Sequence, residues 1–470
     1  MGSTRLADPA ETELTASPPN LPPGPPLPRL LQTVAFIVGG ARFLEACRRR
    51  YGEIVTMGTL FDSKFVMVFD PLLVKEVFQG SGDQLHAGEA NALLGPVLGP
   101  RSVLLLDGAE HLRHRRLMLP TFHGEQMRAW TEAIVESADL EIDSWPVGQA
   151  FSILQSMQSI TLRVIMRVVF GYAPGPEADE LQRRLRAMID PIARPRGLVA
   201  LQLLSQISGE GRVLNRFAPQ RRAVDELVHA EIERRRADPD LAERTDVFSA
   251  LLLAEDESGQ RLSDHEVRDE LMTLLLAGHE TTAVGLAWVF DLLLHSPAVQ
   301  SRAIEGDDAY LDAVVKEALR IRPVIPGVGR VVRGAPFRLG GYEIPVGMEI
   351  NPSIRVIHRR PDLYPEPEAF RPERFLGPDA PDTYTWIPFG GGTRRCLGAS
   401  FALTEMRVVL RRVLERCALH AGAPALEEPT FRGITVAPKH GTQVVLERLP
   451  APASAGPLHI TNFGAAVWNR

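Results

Sequence analysis

The segment Phe389-Gly-Gly-Gly-Thr-Arg-Arg-Cys-Leu-Gly398 holds the residues best able to do chemistry. A cysteine thiolate is a strong nucleophile and a soft metal ligand. Three glycines ahead of it let the backbone turn tightly and approach a flat partner with no side chain in the way. The residues after Cys396 repeat with helical spacing. Cys396 therefore stands just before a helix N-terminus, where backbone N–H groups and the helix dipole favour an anion. Arg394 and Arg395 add positive charge. A buried structural cysteine is the plain alternative. A catalytic nucleophile is another, although no His or Asn is placed as an obvious base. The glycines lack the Gly-Lys-Ser/Thr ending of a phosphate-binding loop.

Three further groups of residues invite a role. Lys316-Glu-Ala-Leu-Arg320 puts Glu317 and Arg320 one helical turn apart, and Phe370-Arg-Pro-Glu-Arg-Phe375 follows downstream. On its own such a pair is an ordinary exposed ion pair worth about 0.2–0.5 kcal/mol. Ala277-Gly-His-Glu-Thr-Thr282 places an acid beside an alcohol in mid-helix. The Thr281 hydroxyl can turn back to the Ala277 carbonyl and distort the helix, and Glu280 with Thr281 can pass protons. Simple packing is the alternative there. His111-Leu-Arg-His-Arg115 sets His111 and Arg115 on one helix face, fit for a pair of carboxylates, whereas His114 and Arg116 read as a solvated basic face.

The elements that must position these groups are mostly helices. The longest runs from Ser263, where Ser263-Asp-His-Glu266 forms a capping box, to about His295, stopped by Ser296-Pro297. About 30 residues at 1.5 Å each give a strut of roughly 45 Å, with an expected interruption at Ala277–Thr282. Other helices are predicted at Pro71–Phe78, His111–Pro120, Gly124–Trp145, Ser152–Phe170 and Arg221–Arg236. Strands are predicted at Ile54–Gly58 and Phe65–Phe69 around a turn at Asp62-Ser63, and at Arg338–Leu339 and Tyr342–Ile344. A last hairpin is predicted at Ile434–Ala437 and Thr442–Leu446. The fold class is mainly α with small β-sheets. One domain at 29–450 is expected, between a Pro-rich flexible segment at 1–28 and a tail at 451–470.

Composition excludes several functions. The 52 basic and 58 acidic residues leave a net charge of -6 with no basic stripe, which argues against nucleic-acid binding. Cys47, Cys396 and Cys417 are too sparse for a disulfide framework or a zinc site, which fits a reducing compartment. The N-terminus lacks the charged and apolar regions of a signal peptide. The apolar stretch Leu30–Ala41 falls short of the ~20 residues that span a bilayer. A cytoplasmic protein without a transmembrane anchor is expected, and a monomer.

The spacing Phe-x-x-Gly-x-Arg-x-Cys-x-Gly resembles the signature of the cytochrome P-450 family, with Phe389, Gly392, Arg394, Cys396 and Gly398 in its fixed positions. The other three groups match segments of that family in the same order. The resemblance implies a haem b cofactor with Cys396 as axial ligand, whose electron donation favours O–O cleavage. It implies that the long helix lies over the haem and the cysteine loop on the opposite side. Arg394, His111, Arg115 and, further on, Arg330 would hold haem propionates, and Phe389 would pack beside the thiolate. Ala277 and Gly278 would border the oxygen-binding groove, Gly278 letting the macrocycle approach. Glu280 and Thr281 would deliver protons. Glu317, Arg320 and Arg374 would form a buried triad that holds the cysteine loop in shape.

The implied function is a monooxygenase that uses O2 and two external electrons to hydroxylate or epoxidise a lipophilic small molecule, of fatty acid, terpenoid, steroid or polyketide class. Electrons would come from a ferredoxin or flavodoxin with an NAD(P)H-dependent reductase, docked on Arg113, Arg116, Arg395, Arg407 and Arg411. The pocket would use Ala90–Pro100, part of Ile192–Leu204, Val324–Val328 and Ile434–Val436. A haem-thiolate isomerase or peroxygenase without redox partners and a non-catalytic haem sensor are the alternatives.

Overall fold

The structure is a computed structural model that describes residues 20–60, 64–122, 126–173, 175–193 and 210–448. Its organising element is the central helix Asp264–Leu294. Ser263 and Glu266 close the predicted capping box, with the Ser263 N–H donating to Glu266 at 2.7 Å and the Glu266 N–H to Ser263 Oγ at 3.3 Å. Leu271, Leu275, Leu286 and Val289 are buried in the largest apolar cluster. Helix Ile153–Val168 packs along one side of the central helix, and Asp308–Ile321 and Ala399–Arg416 along others. The backbone stays helical through Ala277–Thr282, so the expected interruption is confined to one side chain. Thr281 Oγ1 donates to the Ala277 carbonyl at 2.5 Å.

Most of the remaining helices begin and end within a few residues of their predicted limits. Pro71–Gln79 starts with Asp70 accepting from the N–H groups of Leu72 and Leu73, and with Pro71 in the first turn, where its missing N–H is harmless. Gly108–Met118 carries His111 and Arg115. Helix Glu210–Arg236 is longer than predicted, because Pro219 is accommodated inside it.

A five-stranded sheet lies to one side, in the order Ile54–Met57, Phe65–Val68, Glu349–Pro352, Arg330–Val332, Leu85–His86. The first two strands pair antiparallel as predicted; their turn at residues 62 and 63 lies outside the described residues. The Phe65 strand runs parallel to the Glu349 strand, which places Arg330 opposite Ile350 near the sheet's inner end. The hairpin of Phe337–Leu339 and Tyr342–Ile344 forms as predicted.

The last hairpin does not. Thr435–Pro438 pairs with Pro429–Arg432, and Gln443–Arg448 pairs with Ala150–Ser152 and Ala418–Ala421. Both strands exist, but Gly441 at φ +77° sends the chain into a different sheet, a choice that alternation alone does not encode.

Two expectations about the N-terminus change. Residues 20–28 are fastened: Thr56 donates through N to Pro23 O at 3.0 Å and through Oγ1 to Pro22 O at 2.7 Å. The apolar stretch after them continues into a helical stretch from Arg29 to Tyr51, long and apolar enough by composition to cross a membrane, with 28% of its most apolar window buried in the protein.

The predicted triad is present and fully enclosed. Glu317 and Arg320 are both 0% exposed, and Arg320 grips both oxygens of Glu317 at 2.7 and 2.8 Å. Arg374 Nε donates to Glu317 at 3.3 Å, and the Arg371 N–H adds a further bond at 3.0 Å. Removing one partner of such a buried pair leaves an uncompensated charge, which costs about 3–5 kcal/mol. Glu317→Gln is expected to lower the unfolding free energy by about that amount, read from denaturant unfolding followed by far-UV circular dichroism.

Candidate active site

The cysteine loop is built on glycine conformations. Gly390 and Gly392 have φ of +68° and +64°, a region that side chains disfavour. A Cβ on Gly391 would stand 2.3 Å from the Phe78 ring, and one on Gly392 1.9 Å from the Phe78 carbonyl. The close approach these two glycines permit is therefore to helix Pro71–Gln79, and not to a flat ligand. The loop closes where the Cys396 N–H donates to the Phe389 carbonyl at 3.0 Å. Phe389 packs edge-on against Trp386 at 5.9 Å, and the Trp386 indole donates to Lys316 O at 3.2 Å on the triad's helix.

The triad reaches the loop through a residue not anticipated from sequence. Arg320 Nη1 donates to the His358 carbonyl at 2.8 Å, and His358 Nε2 accepts from the Ile387 N–H at 2.9 Å. Burial and the neighbouring Arg320 push His358 down to about 3, so it is neutral and free to accept. His358 follows a short helix with no motif around it, and only the fold brings it to residue 387.

Cys396 ends the loop with its side chain accessible, while Cys47 and Cys417 are buried. Helix Ala399–Arg416 begins three residues later, as expected. The expected thiolate preference does not follow from these neighbours alone. Although the sulfur faces open space, the protein packed around it raises the Cys396 thiol by desolvation, and the Gly398 N–H, Arg115 and Arg395 only partly offset it. A bound metal cation is what makes such a sulfur anionic. Gly398 directs its N–H at the Cys396 sulfur, and no protein atom would meet a Cβ there within 4 Å.

Beside the thiol, three guanidinium groups and an imidazole converge. His111 is pushed down to about 3 by burial and then by Arg394, Arg115 and Arg330. Burial, and then the facing Arg394, brings Arg330 down to about 10. Burial does the same to Arg394, against the pull of Asp107. Arg115 is held by the Arg395 carbonyl at 2.8 Å and Arg330 by the Gly329 carbonyl at 2.7 Å, neither of which supplies charge. Asp107, missed in the sequence, pairs with Arg394 and accepts from the N–H groups of Gly88 and Glu89 at 2.9 and 3.2 Å. Asp-Gly before a helix reads as a turn, and nothing in it signals a partner 287 residues away.

His114, expected in a solvated face, is 3% exposed and bonds Glu270 at 2.7 Å and Glu266 at 3.2 Å on the central helix. Arg116 is exposed, as predicted.

Opposite the cysteine, Ala277 and Thr281 share a helix face and remain accessible in mid-helix. Gly278 turns elsewhere: its Cβ would meet Ile165 at 3.0 Å, so this glycine serves packing against helix Ile153–Val168. Glu280 is 9% exposed and held at both oxygens, by Gln158 Nε2 and by Arg432 Nε, each at 2.7 Å. Neither partner was foreseen, because one sits on another helix and the other on the hairpin 152 residues on.

Some of the expected pocket segments touch one another and the central helix. Val436 donates to Val324 O at 2.8 Å and accepts from the Trp288 indole at 2.8 Å, and Ala90 lies against Gly329. Residues 194–204 lie outside the described residues.

An accessible cysteine on a glycine loop, an acid–alcohol pair across from it and a buried cationic cradle beside it define one chemistry. Residues 21–444 match the family model described as cytochrome P-450. The chain belongs to the cytochrome P-450 family. It is similar to cytochrome P-450 135B1 of Mycobacterium tuberculosis, 41% identical over 434 residues covering 90% of this chain and 91% of that protein. It is also similar to cytochrome P-450 138 of the same organism, 40% identical over 432 residues covering 91% and 96%. Among solved structures, the retinoic acid-bound cyanobacterial CYP120A1 shares the fold with a TM-score of 0.76 at 23% identity, covering 91% of this chain and 99% of that one.

The protein is a monooxygenase, an oxidoreductase whose cofactor is haem b. The residues present fit that group. Arg115, Arg330 and Arg394 gather where Asp107 and Glu349 are the carboxylates that act on them, and this excess of positive charge fits added negative charge, which two propionates would supply. The accessible Cys396 sulfur is a soft donor suited to iron. Losing one charge-assisted bond to a propionate costs about 1.5–3 kcal/mol. Arg330→Gln is expected to weaken haem retention roughly 10- to 100-fold, measured by haem transfer to a globin apoprotein.

Proposed function

We propose that this cytochrome P-450 oxidises a lipophilic small molecule of fatty acid, terpenoid, steroid or polyketide class, drawing electrons from a separate ferredoxin or flavodoxin. What supports the substrate class is the composition of the segments expected to form the pocket, whose Leu94, Val97, Val324 and Val436 are apolar and buried. The similar cyanobacterial structure holds retinoic acid, a lipophilic ligand in the same fold. A single haem domain at 29–450 and a cytoplasmic monomer complete this reading.

When bound, haem b ligated by a thiolate supplies the activation of O2. The chain's own residues then have separable tasks. Cys396 would ligate the iron. His111, Arg115, Arg330 and Arg394 would hold the propionates, and Phe389 and Gly398 shape the loop through their carbonyl and N–H. Thr281, already turned to the Ala277 carbonyl, holds a hydroxyl at the open face of the central helix. Glu280 supplies protons to it from outside. Its bond to Arg432 keeps the carboxylate beside the hairpin of residues 429–438, so proton supply and pocket wall share one contact.

The basic docking face needs revision. Arg113 bonds Asp256 at 2.7 Å, and Arg407 and Arg411 both bond Asp308, at 2.9 and 3.1 Å. These charges are largely neutralised within the chain, so recognition of the electron donor rests less on them than their clustering implied. The intact Glu280–Thr281 pair favours a monooxygenase over a peroxygenase or isomerase.

Cys396→Ala is expected to abolish activity and the red-shifted Soret band of the reduced, CO-bound protein; a variant that kept the shift would remove Cys396 as ligand. Thr281→Ala is expected to keep consuming O2 and NAD(P)H while forming product about 10-fold or more less efficiently, the scale of a lost proton-transfer group. Full coupling in Thr281→Ala would reassign the proton relay. A screen of lipophilic compounds by haem spin-state shift tests the substrate class, and saturation only by charged, hydrophilic ligands would overturn it.

A further inference from the structure

Leu30, Leu31, Val34, Ile37 and Val38 are 57, 51, 50, 49 and 81% exposed. Their spacing puts them on one face of the helical stretch that starts at Arg29. Single exposed leucines are ordinary, but five on one helix face form a patch that marks an interaction site.

The opposite face is fastened to the protein. Gln32 donates to Pro25 O and Leu27 O at 3.2 and 2.8 Å and accepts from the Gly58 N–H at 3.0 Å. Thr33 accepts from the Leu60 N–H at 2.9 Å, and Arg29 donates to Thr59 O at 2.7 Å. Crossing a bilayer would break these bonds and carry Gln32 and Thr33 into hydrocarbon, where unpaired polar groups are costly. The backbone also turns at Gly40, φ +48°. This stretch is apolar enough to span, but it is built to lie flat.

The next turns change character. A groove of about 690 Å³ is lined by Arg42, Arg49, Arg50 and Arg359 against Glu45 and Glu368. Glu45 is engaged by Arg48 and Arg49, and Glu368 by Arg359. Arg42 and Arg50 have no carboxylate partner among the described residues, and Arg359 Nε is buried without an acceptor. Behind the groove, burial and then Arg359 and Arg322 press Arg355 down to about 10, so the local field is positive.

We propose that residues 27–50 are a membrane-surface docking element. The face of Leu30 to Val38 enters the outer hydrocarbon in the plane of the bilayer, and the arginine groove takes the phosphate headgroups of anionic phospholipid. An apolar face continued by a basic groove on one helical segment matches the layered chemistry of such a surface.

The test is flotation of the haem-loaded full chain with vesicles of phosphatidylcholine alone or mixed with phosphatidylglycerol, at low and high salt. Binding to the mixed vesicles is expected to exceed binding to the neutral ones and to fall with salt. Each juxtamembrane arginine changes affinity roughly fivefold, so Arg42→Gln with Arg50→Gln should lower binding to mixed vesicles about 25-fold. Leu31→Asp with Val38→Asp should abolish it. Both double variants should keep the CO spectrum and the unfolding midpoint, which separates lost docking from lost folding. Inorganic phosphate that competes fully at equal phosphate concentration would show a free-anion site and overturn the lipid assignment. Four other results would overturn it too: no vesicle binding, binding untouched by either variant, release only by detergent as for a spanning helix, or a dimer abolished by Leu31→Asp with Val38→Asp. Vesicle binding seen only after deletion of residues 1–19 would make that segment the occupant.

Discussion

The carboxylate of Glu317 is the point to which the cysteine side of the molecule is tied. It is fully buried, and it accepts from Arg320, from Arg374 and from the backbone of Arg371. A buried charge is tolerable only when its hydrogen-bonding capacity is filled, and here its own helix and the segment of Arg371 and Arg374 fill it. Arg320 also donates to the carbonyls of His358 and Ala369, and His358 accepts from Ile387 in the approach to the cysteine loop. A loop with three glycines has little conformational preference of its own. Its shape comes from this chain of bonds on one side and from Phe78, against which Gly391 and Gly392 are pressed, on the other.

The central helix solves a different problem, since one element must be both core and active-site wall. Its C-terminal half is buried on nearly every side, with Trp288 reaching Val436 O. Its N-terminal half clamps residues 98–103: Asp269 and Glu270 accept the N–H groups of Arg101 and Val103, each at 2.9 Å, and Arg268 donates to Leu98 O at 2.8 Å. Past its exposed first turn, the helix keeps a face open around Ala277 and Thr281. There the Thr281 hydroxyl bonds its own helix instead of a neighbour, which leaves the opening lined by a group that can exchange partners.

Much of this was legible in the residues. The capping box, the Glu317–Arg320 pair and the Thr281 back-bond all depend on spacings of three or four residues, which sequence states directly, and Ser296-Pro297 marks the helix stop. What was not legible depends on long-range placement. His114 and Arg116 look alike in a basic run, yet one bonds two buried carboxylates and the other meets solvent, because only the helix's orientation distinguishes them. Gly278 reads as room for a cofactor, and the fold uses that room for Ile165. The strand Gln443–Arg448 alternates correctly but joins another sheet. Glu280 showed its chemical type but not its partners Gln158 and Arg432, which come from a different helix and a hairpin far along the chain.

The handling of arginine separates structural from functional charge. Across most of the surface a guanidinium faces a carboxylate, as Arg412 faces Asp139 and Arg333 faces Glu89. That is the arrangement a chain with 52 basic and 58 acidic residues can afford almost everywhere. Where arginines gather around a concavity with too few carboxylates, their mutual repulsion has to be offset by an anion the chain does not carry. Around His111 the concavity is interior and next to the thiol, so the missing anion belongs to a cofactor with two carboxylates. Beside Arg42 and Arg359 it is open to solvent and continues an exposed apolar helix face, so the missing anion comes attached to something apolar and extended. The same imbalance thus has two meanings, and burial together with the neighbouring surface decides between them.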